Sequence, residues 1–308
     1  MKLSFIVPWY KSPSSVFPLY HKCLGVVDKM PGITDVEFIF VDDCSPDATW
    51  DELARLAGSD ERVKAVRLSR NFGQHHALTA CMDLCSGDWA VVMDCDLQDN
   101  PEEIPRMWEE TRKGYDIVCA RRCERKHKWW KRTTSRYFIR FFNWFSGMGY
   151  DGSVGNFRIM SRKVIAGIRE MREATRSMSM QLKWLGFKVG YVDVIHNARY
   201  AGESSYSLTK LVNLALDSLI AYSDKPMRIF CLLGLGLTFC SFVMALAIMV
   251  RKLAWDIPVS GWASLMVSLW FIGGIVIGCM GVLGLYIAKV YGEAKRRPLY
   301  VINERINI

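Results

Sequence analysis

A chain of 308 residues has room for one large domain or for a domain with an appendage. A net charge of +9 calls for an anionic partner, either nucleic acid or a membrane face. The ten cysteines do not make a secreted disulfide scaffold, because Lys2 is followed only by the short apolar stretch Leu3–Val7 and then Pro8, which lacks the hydrophobic segment of a secretory signal.

Taken in order, Leu3–Val7, Val36–Val41, Val63–Leu68, Trp89–Met93 and Ile117–Ala120 are short runs rich in Val and Ile and are predicted as buried strands. Between them Asp47–Ala57, Gln74–Cys85 and Glu102–Lys113 are predicted helices, the last opened by Pro101. This alternation predicts an α/β domain with a mostly parallel sheet covered on both faces. Ligands of such sheets bind beyond the carboxyl ends of the strands. Pro8–Tyr10, Asp42–Asp43, Ser69–Asn71 and Asp94–Asp96 therefore fall on one rim. No GxGxxG follows the first strand and no GxxxxGK[ST] loop occurs, so phosphates must be held by metal and arginine rather than by a glycine cradle. Cys81 and Cys85, or Cys119 and Cys123, lack the second pair and histidines of a zinc site and read as reduced core thiols.

Further along, Lys126–Phe145 interleaves Lys and Arg with Trp129, Trp130, Tyr137, Phe138, Phe141, Phe142, Trp144 and Phe145, and 126–148 is predicted as a helix in the membrane interface. Leu208–Ile220 lies in a second amphipathic helix, placed at 206–225. Ile229–Val250 and Ile257–Ala288 carry no charge, and each exceeds the about 20 residues needed to span a bilayer. The domains are thus expected at 1–205, a transmembrane hairpin at 226–289 and a C-terminal tail at 290–308. Lys225, Arg228, Lys289, Lys295, Arg296 and Arg297 flank the hairpin, against Arg251 and Lys252 in its loop, so both termini are expected in the cytoplasm. Two spans make the membrane, not nucleic acid, the partner of the positive charge.

Asp94-Cys95-Asp96 stands where a buried strand ends. Two carboxylates so close need a compensating cation, and a hard divalent ion that also bridges a diphosphate supplies it. With this motif and five other stretches, the chain resembles the family 2 glycosyltransferases of the polyisoprenyl-phosphate type. Those stretches are Phe5–Tyr10, Val41–Asp47, Leu68–Gln74, Gly155–Arg158, and Arg199 with Gly202–Ser204; Leu283–Ile287 and Arg297–Tyr300 are similar to the two-span members. The resemblance implies a nucleotide-sugar-binding GT-A-like domain that transfers a sugar to undecaprenyl or dolichyl phosphate, with Mn²⁺ or Mg²⁺ as cofactor. It implies that Asp42 and Asp43 meet the base and ribose of the donor, with Pro8, Tyr10, Asn71 and Arg121 also on the donor side. Asp94, Asp96 and Gln98 would hold the metal and diphosphate, while Arg121, Lys131, Ser135 and Arg199 would hold the acceptor phosphate. Asp94, Asp96, Asn156 and Arg158 form the expected catalytic group. The implied setting is an integral membrane protein, in the inner membrane of a bacterium rather than the endoplasmic reticulum, acting in cell-envelope glycan or glycolipid modification. Membrane lipid is a further partner, and self-association is compatible with the reading.

Three departures stand out. The family's Asn-Glu after the first strand is Lys11-Ser12, its Ser-Lys-Tyr is Ser204-Ser205-Tyr206, and its Gly-Asp-Phe-Arg is Gly155-Asn156-Phe157-Arg158. Asn cannot act as a general base. An acceptor phosphate is already largely ionised at neutral pH, with a second pKa near ~6, and needs positioning more than deprotonation. A single displacement at the anomeric carbon would invert its configuration. Two rival readings follow from the same residues. A processive polysaccharide synthase shares the aspartates, but Gln181-Leu182-Lys183-Trp184-Leu185 does not match its Gln-x-x-Arg-Trp, and two spans form no pore. A non-catalytic membrane scaffold draws on Asn156 and is opposed by the intact aspartates.

Overall fold

The computed structural model describes residues 1–122, 154–194, 225–255 and 261–308. It divides into two compact units, one holding every described strand and the other the two long C-terminal helices. The segment 126–148 and all but the last residue of 206–225, expected as amphipathic helices, lie outside the described residues.

The first unit is built on β1 (Lys2–Trp9), β2 (Asp35–Asp42), β3 (Val63–Leu68), β4 (Trp89–Val92), β5 (Ile117–Arg122), β6 (Val154–Ser161), β7 (Val189–Val194) and β8 (Ile302–Ile306), in the spatial order β7-β5-β6-β4-β1-β2-β3-β8. Strands β4, β1, β2 and β3 are parallel neighbours, and so are β5 and β7. Strand β6 runs antiparallel between β4 and β5, and β8 runs antiparallel along β3. The carboxyl ends of the six parallel strands therefore share a rim with the amino ends of β6 and β8.

Alternation along the central strands assigns each face its helices. Phe5, Phe38 and Phe40 point to one side, where they pack with Val16 and Leu19 of α1 (Val16–Val27), Leu53 of α2 (Thr49–Ser59) and Ile104 of α4 (Ile104–Thr111). Ile6, Ile39 and Val41 point to the other, against Ala77 and Leu78 of α3 (Gln74–Leu84), Val164 of α5 (Arg162–Glu170) and Met178 of α6 (Met178–Leu185). The strand side chains named are at most 1 % exposed, which explains why these runs are continuously apolar instead of alternating.

The five predicted strands are present, four of them with shifted ends, and α2, α3 and α4 lie inside or beside their predicted ranges. Strands β6, β7 and β8 were not predicted as strands. The expected tail at 290–308 is also corrected: the last helix runs to Ala294, and the chain then re-enters the first unit as β8. Its entry is fixed by Tyr300, whose hydroxyl donates to Asp83 Oδ2 at 2.9 Å while Arg172 donates to both oxygens of the same carboxylate at 2.8 and 2.9 Å. Burial and the Asp83 charge both push the Tyr300 phenol up, so it stays a donor. Tyr300→Phe is expected to cost about 1 kcal/mol, the usual worth of one such hydrogen bond. Denaturant unfolding of the detergent-solubilised chain checks this, and an unchanged midpoint would contradict it.

The second unit comprises α7 (Lys225–Trp255) and α8 (Trp262–Ala294). Met227–Met244 and Ser264–Ala294 have mean hydropathies of 1.9 and 2.2, and neither stretch is buried within the molecule. Leu232, Phe239, Trp270 and Ile277 face outward. These are two helices long and apolar enough to cross a bilayer.

Candidate active site

The rim is shaped by three sharp turns at strand ends. Lys11, Cys44 and Leu97, just beyond β1, β2 and β4, adopt left-handed φ values of 54°, 56° and 58°. Non-glycine residues avoid this region, and such strain gathers where a site dictates the backbone. The turns are tied together. The Lys11 N–H donates to Ser45 Oγ at 3.0 Å, the Asp43 N–H to the Trp9 carbonyl at 2.9 Å, and the Ser12 N–H to Thr49 Oγ1 at 3.0 Å.

Asp42 and Asp43 are the centre of these ties. Both Asp42 oxygens accept from the Ser45 N–H at 3.1 Å, and Asp43 accepts the N–H groups of Phe72 at 2.7 Å and Gly73 at 2.8 Å. Gly73 makes its contact at φ 97°, which only glycine adopts without strain. Asp42 is 0 % and Asp43 3 % exposed, and burial raises the pKa of each against the pull of its hydrogen bonds. The pair expected to meet the donor's base and ribose is thus at the rim but turned inward, where it holds the β1, β2 and β3 loops. Pro8 is likewise buried on β1. Tyr10, Asn71 and Arg121 are the expected donor residues that are exposed.

At the β4 end, Asp94 and Asp96 are half-buried. Asp94 Oδ1 accepts from Gln74 Nε2 at 2.7 Å and from Asn156 Nδ2 at 3.2 Å. Asp96 Oδ1 accepts the Gln98 N–H at 3.0 Å across the Leu97 turn. Asn156 arrives by the entry of β6, because an antiparallel strand brings its amino end to the rim. Gln74, the first residue of α3, completes this group and was not among the expected site residues, although it closes the Leu68–Gln74 stretch. Two carboxylates with an amide are all hard oxygen donors, which suits Mg²⁺ or Mn²⁺. Among the described residues no three His, Cys, Asp or Glu converge as a complete cage. Such a site would take its remaining ligands from substrate phosphates, as Mg²⁺ sites do. Cys95, between the two aspartates, is pushed up to about 11 by burial and remains a thiol.

Arg158, expected in the catalytic group, stands on β6. It is 1 % exposed, and its guanidinium donates to the carbonyls of Asn156 at 3.0 Å and Gly155 at 2.6 Å. These bonds brace the β6 backbone that presents Asn156. Arg121, next to last in β5, pairs with Val154 at the rim, and its Nε donates to Asp193 Oδ1 of β7 at 2.6 Å. Lys131, Ser135 and Arg199 lie outside the described residues.

Residues 4–168 match the model of glycosyl transferase family 2. The chain belongs to that family. Its likeness to family members extends well past the matched region. It is 35 % identical over 306 residues to the bactoprenol glucosyl transferase of Shigella phage SfX, covering 99 % of this chain and 100 % of that one. It is 34 % identical to the uncharacterized glycosyltransferase YkcC of Bacillus subtilis, covering 100 % of this chain and 95 % of YkcC. These full-length matches place the family 2 enzyme with the polyisoprenyl-phosphate type. In fold, glucosyl-3-phosphoglycerate synthase from Mycobacterium tuberculosis, solved with Mn²⁺, UDP and glucosyl-3-phosphoglycerate, superimposes with a TM-score of 0.52 at 16 % identity, over 71 % of this chain and 77 % of that one. The sheet is thus a GT-A sheet, and the chain is a glycosyltransferase with a nucleotide-sugar site.

Proposed function

We propose that this glycosyltransferase moves a sugar from a nucleotide-sugar to a polyisoprenyl phosphate at the membrane face, with inversion at the anomeric carbon. The observation that carries the reading is the full-length likeness to bactoprenol glucosyl transferases, which includes the two apolar helices as well as the sheet. The donor's nucleoside lies over the ends of β1, β2 and β3, and its diphosphate lies over Asp94, Asp96 and Gln98. Bound Mg²⁺ or Mn²⁺ would neutralise charge on the leaving diphosphate there. Gln74 and Asn156 hold the Asp94 carboxylate in place. An acceptor phosphate oxygen forms the new bond to the anomeric carbon as the bond to the nucleoside diphosphate breaks. Arg121, Lys131, Ser135 and Arg199 orient that phosphate. Initial rates with a panel of nucleotide-sugars, UDP-glucose first, and undecaprenyl or dolichyl phosphate test the reading. Transfer to a growing polysaccharide with none to the lipid phosphates would overturn it.

The same reading has α7 and α8 cross the membrane with both chain termini in the cytoplasm. What supports it is β8: the chain leaves the β1-containing sheet before α7 and rejoins that sheet after α8. An even number of crossings returns it to the starting side. On a background without native thiols, a cysteine at Val259 is expected to react with an impermeant thiol reagent added outside intact cells, and one at Asn307 to be protected. The reverse pattern would invert the topology.

A further inference from the structure

Strand β8 does more than close the edge of the sheet. It extends a cross-strand row in which Trp9 pairs with Asp42, Asp42 with Arg67, and Arg67 with Glu304. Paired residues stand on the same face of a sheet, so an acid, a base and an acid lie side by side at the rim. Arg67 Nε is 3.7 Å from Asp42 Oδ2, and Arg67 Nη1 donates to Glu304 Oε1 at 3.3 Å. The other Glu304 oxygen accepts the Trp50 indole N–H at 3.2 Å, and the Arg67 guanidinium lies 6.0 Å from the Trp50 ring centre.

Both ends of β8 are pinned. The Ser69 N–H donates to the Val301 carbonyl at 2.9 Å, and Asn307, left-handed at φ 62°, donates through Nδ2 to the carbonyls of Ala57 at 2.7 Å and Val63 at 2.9 Å. Within the row Asp42 is sealed in, whereas the side chains of Arg67 and Glu304 keep 30 % and 47 % exposure. Of these two exposed members Arg67 is the hydrogen-bond donor, and its planar fork suits the carbonyl edge of a base.

We propose that β8 belongs to the donor site, and that Glu304 is a positioning residue holding Arg67 toward the donor's nucleoside. The proposal rests on the reading that the nucleoside lies over the ends of β1, β2 and β3. Without Glu304, the long Arg67 stem regains rotamers that binding must then freeze. The pair is partly exposed, so the effect is modest: Glu304→Ala is expected to raise the KM for UDP-glucose by about fivefold, leaving kcat and the acceptor KM unchanged.

The experiment measures both KM values and kcat on the full-length enzyme for Glu304→Ala, Arg67→Ala and the double variant. Arg67→Ala is expected to raise the donor KM at least as far, and Glu304→Ala to add nothing on that background, which marks the two as one unit. Equal losses in kcat and both KM values, or additive losses in the double variant, would assign Glu304 to general stability and overturn the proposal. A donor effect at Arg67 with none at Glu304 overturns the proposal alone. An unchanged donor KM in Arg67→Ala overturns the nucleoside placement beneath it as well.

Discussion

Asp96→Asn is expected to lower sugar transfer on the order of a thousandfold, about 4 kcal/mol of barrier, while leaving the fold intact. The asparagine keeps a side-chain oxygen for the Gln98 N–H that Asp96 now accepts at 3.0 Å, so the left-handed turn at Leu97 persists. What is lost is the charge. Asp96 sits two residues from Asp94 on a strained turn, and hard divalent ions favour charged oxygen ligands. A neutral amide is a weaker ligand for a cation that must also stabilise a leaving diphosphate. The same logic predicts that excess chelator abolishes turnover of the unaltered enzyme and that Mn²⁺ or Mg²⁺ restores it. Initial rates across a metal titration measure both effects. Full turnover in chelator would remove the metal from the mechanism.

Asn156→Asp is expected to raise turnover at least about tenfold, or 1.4 kcal/mol of barrier, and to tighten apparent metal affinity. Asn156 Nδ2 now donates to Asp94 Oδ1 at 3.2 Å. That amide satisfies the carboxylate without adding charge. An aspartate there would place a second carboxylate beside Asp94, repulsive alone and favourable once a divalent cation lies between them. The gain should therefore appear only with metal present, while the metal-free variant should be less stable than the parent. Thermal melts with and without Mn²⁺, alongside initial rates, separate these effects. A loss, or no change, would make Asn156 the working residue, with the site tuned to a different donor or acceptor geometry. If Asn156→Asp and the parent are equally inactive on every donor, the scaffold reading gains instead.

The parallel half of the sheet was legible because its central strands are largely buried on both faces, and such strands are dominated by apolar residues. The rim followed from this, since Asp42 and Asp94 each come directly after an apolar run, with Asp96 two residues further on. Strands β6, β7 and β8 carry weaker signals. In β8, Ile302-Asn303-Glu304-Arg305-Ile306 has the polar composition of a tail, and only pairing with β3 makes it a strand. Its partner lies more than 230 residues away in the chain, as the hydrogen bond between Arg67 and Glu304 spans 237 positions. No local pattern encodes a pairing that distant.

Residue types and spacing alone determined that this chain carries an acidic site on an α/β rim and two helices able to span a bilayer, because strand burial, like-charge cost and bilayer thickness each act on contiguous residues. Which of the acidic and basic residues are buried and which stay exposed was decided only by tertiary structure. Asp42 and Asp43 look like contact residues in the sequence but spend their oxygens on the N–H groups of Ser45, Phe72 and Gly73. Arg158, expected in the catalytic group, is buried with its guanidinium on the Asn156 carbonyl. Gln74 and Glu304 were not singled out by residue type, and the side-chain partners they have in the fold, Asp94 and Arg67, lie 20 and 237 positions away. Exposure and hydrogen-bond partners belong to the packed chain, since they depend on which backbone groups the folding of distant strands leaves in need of an acceptor.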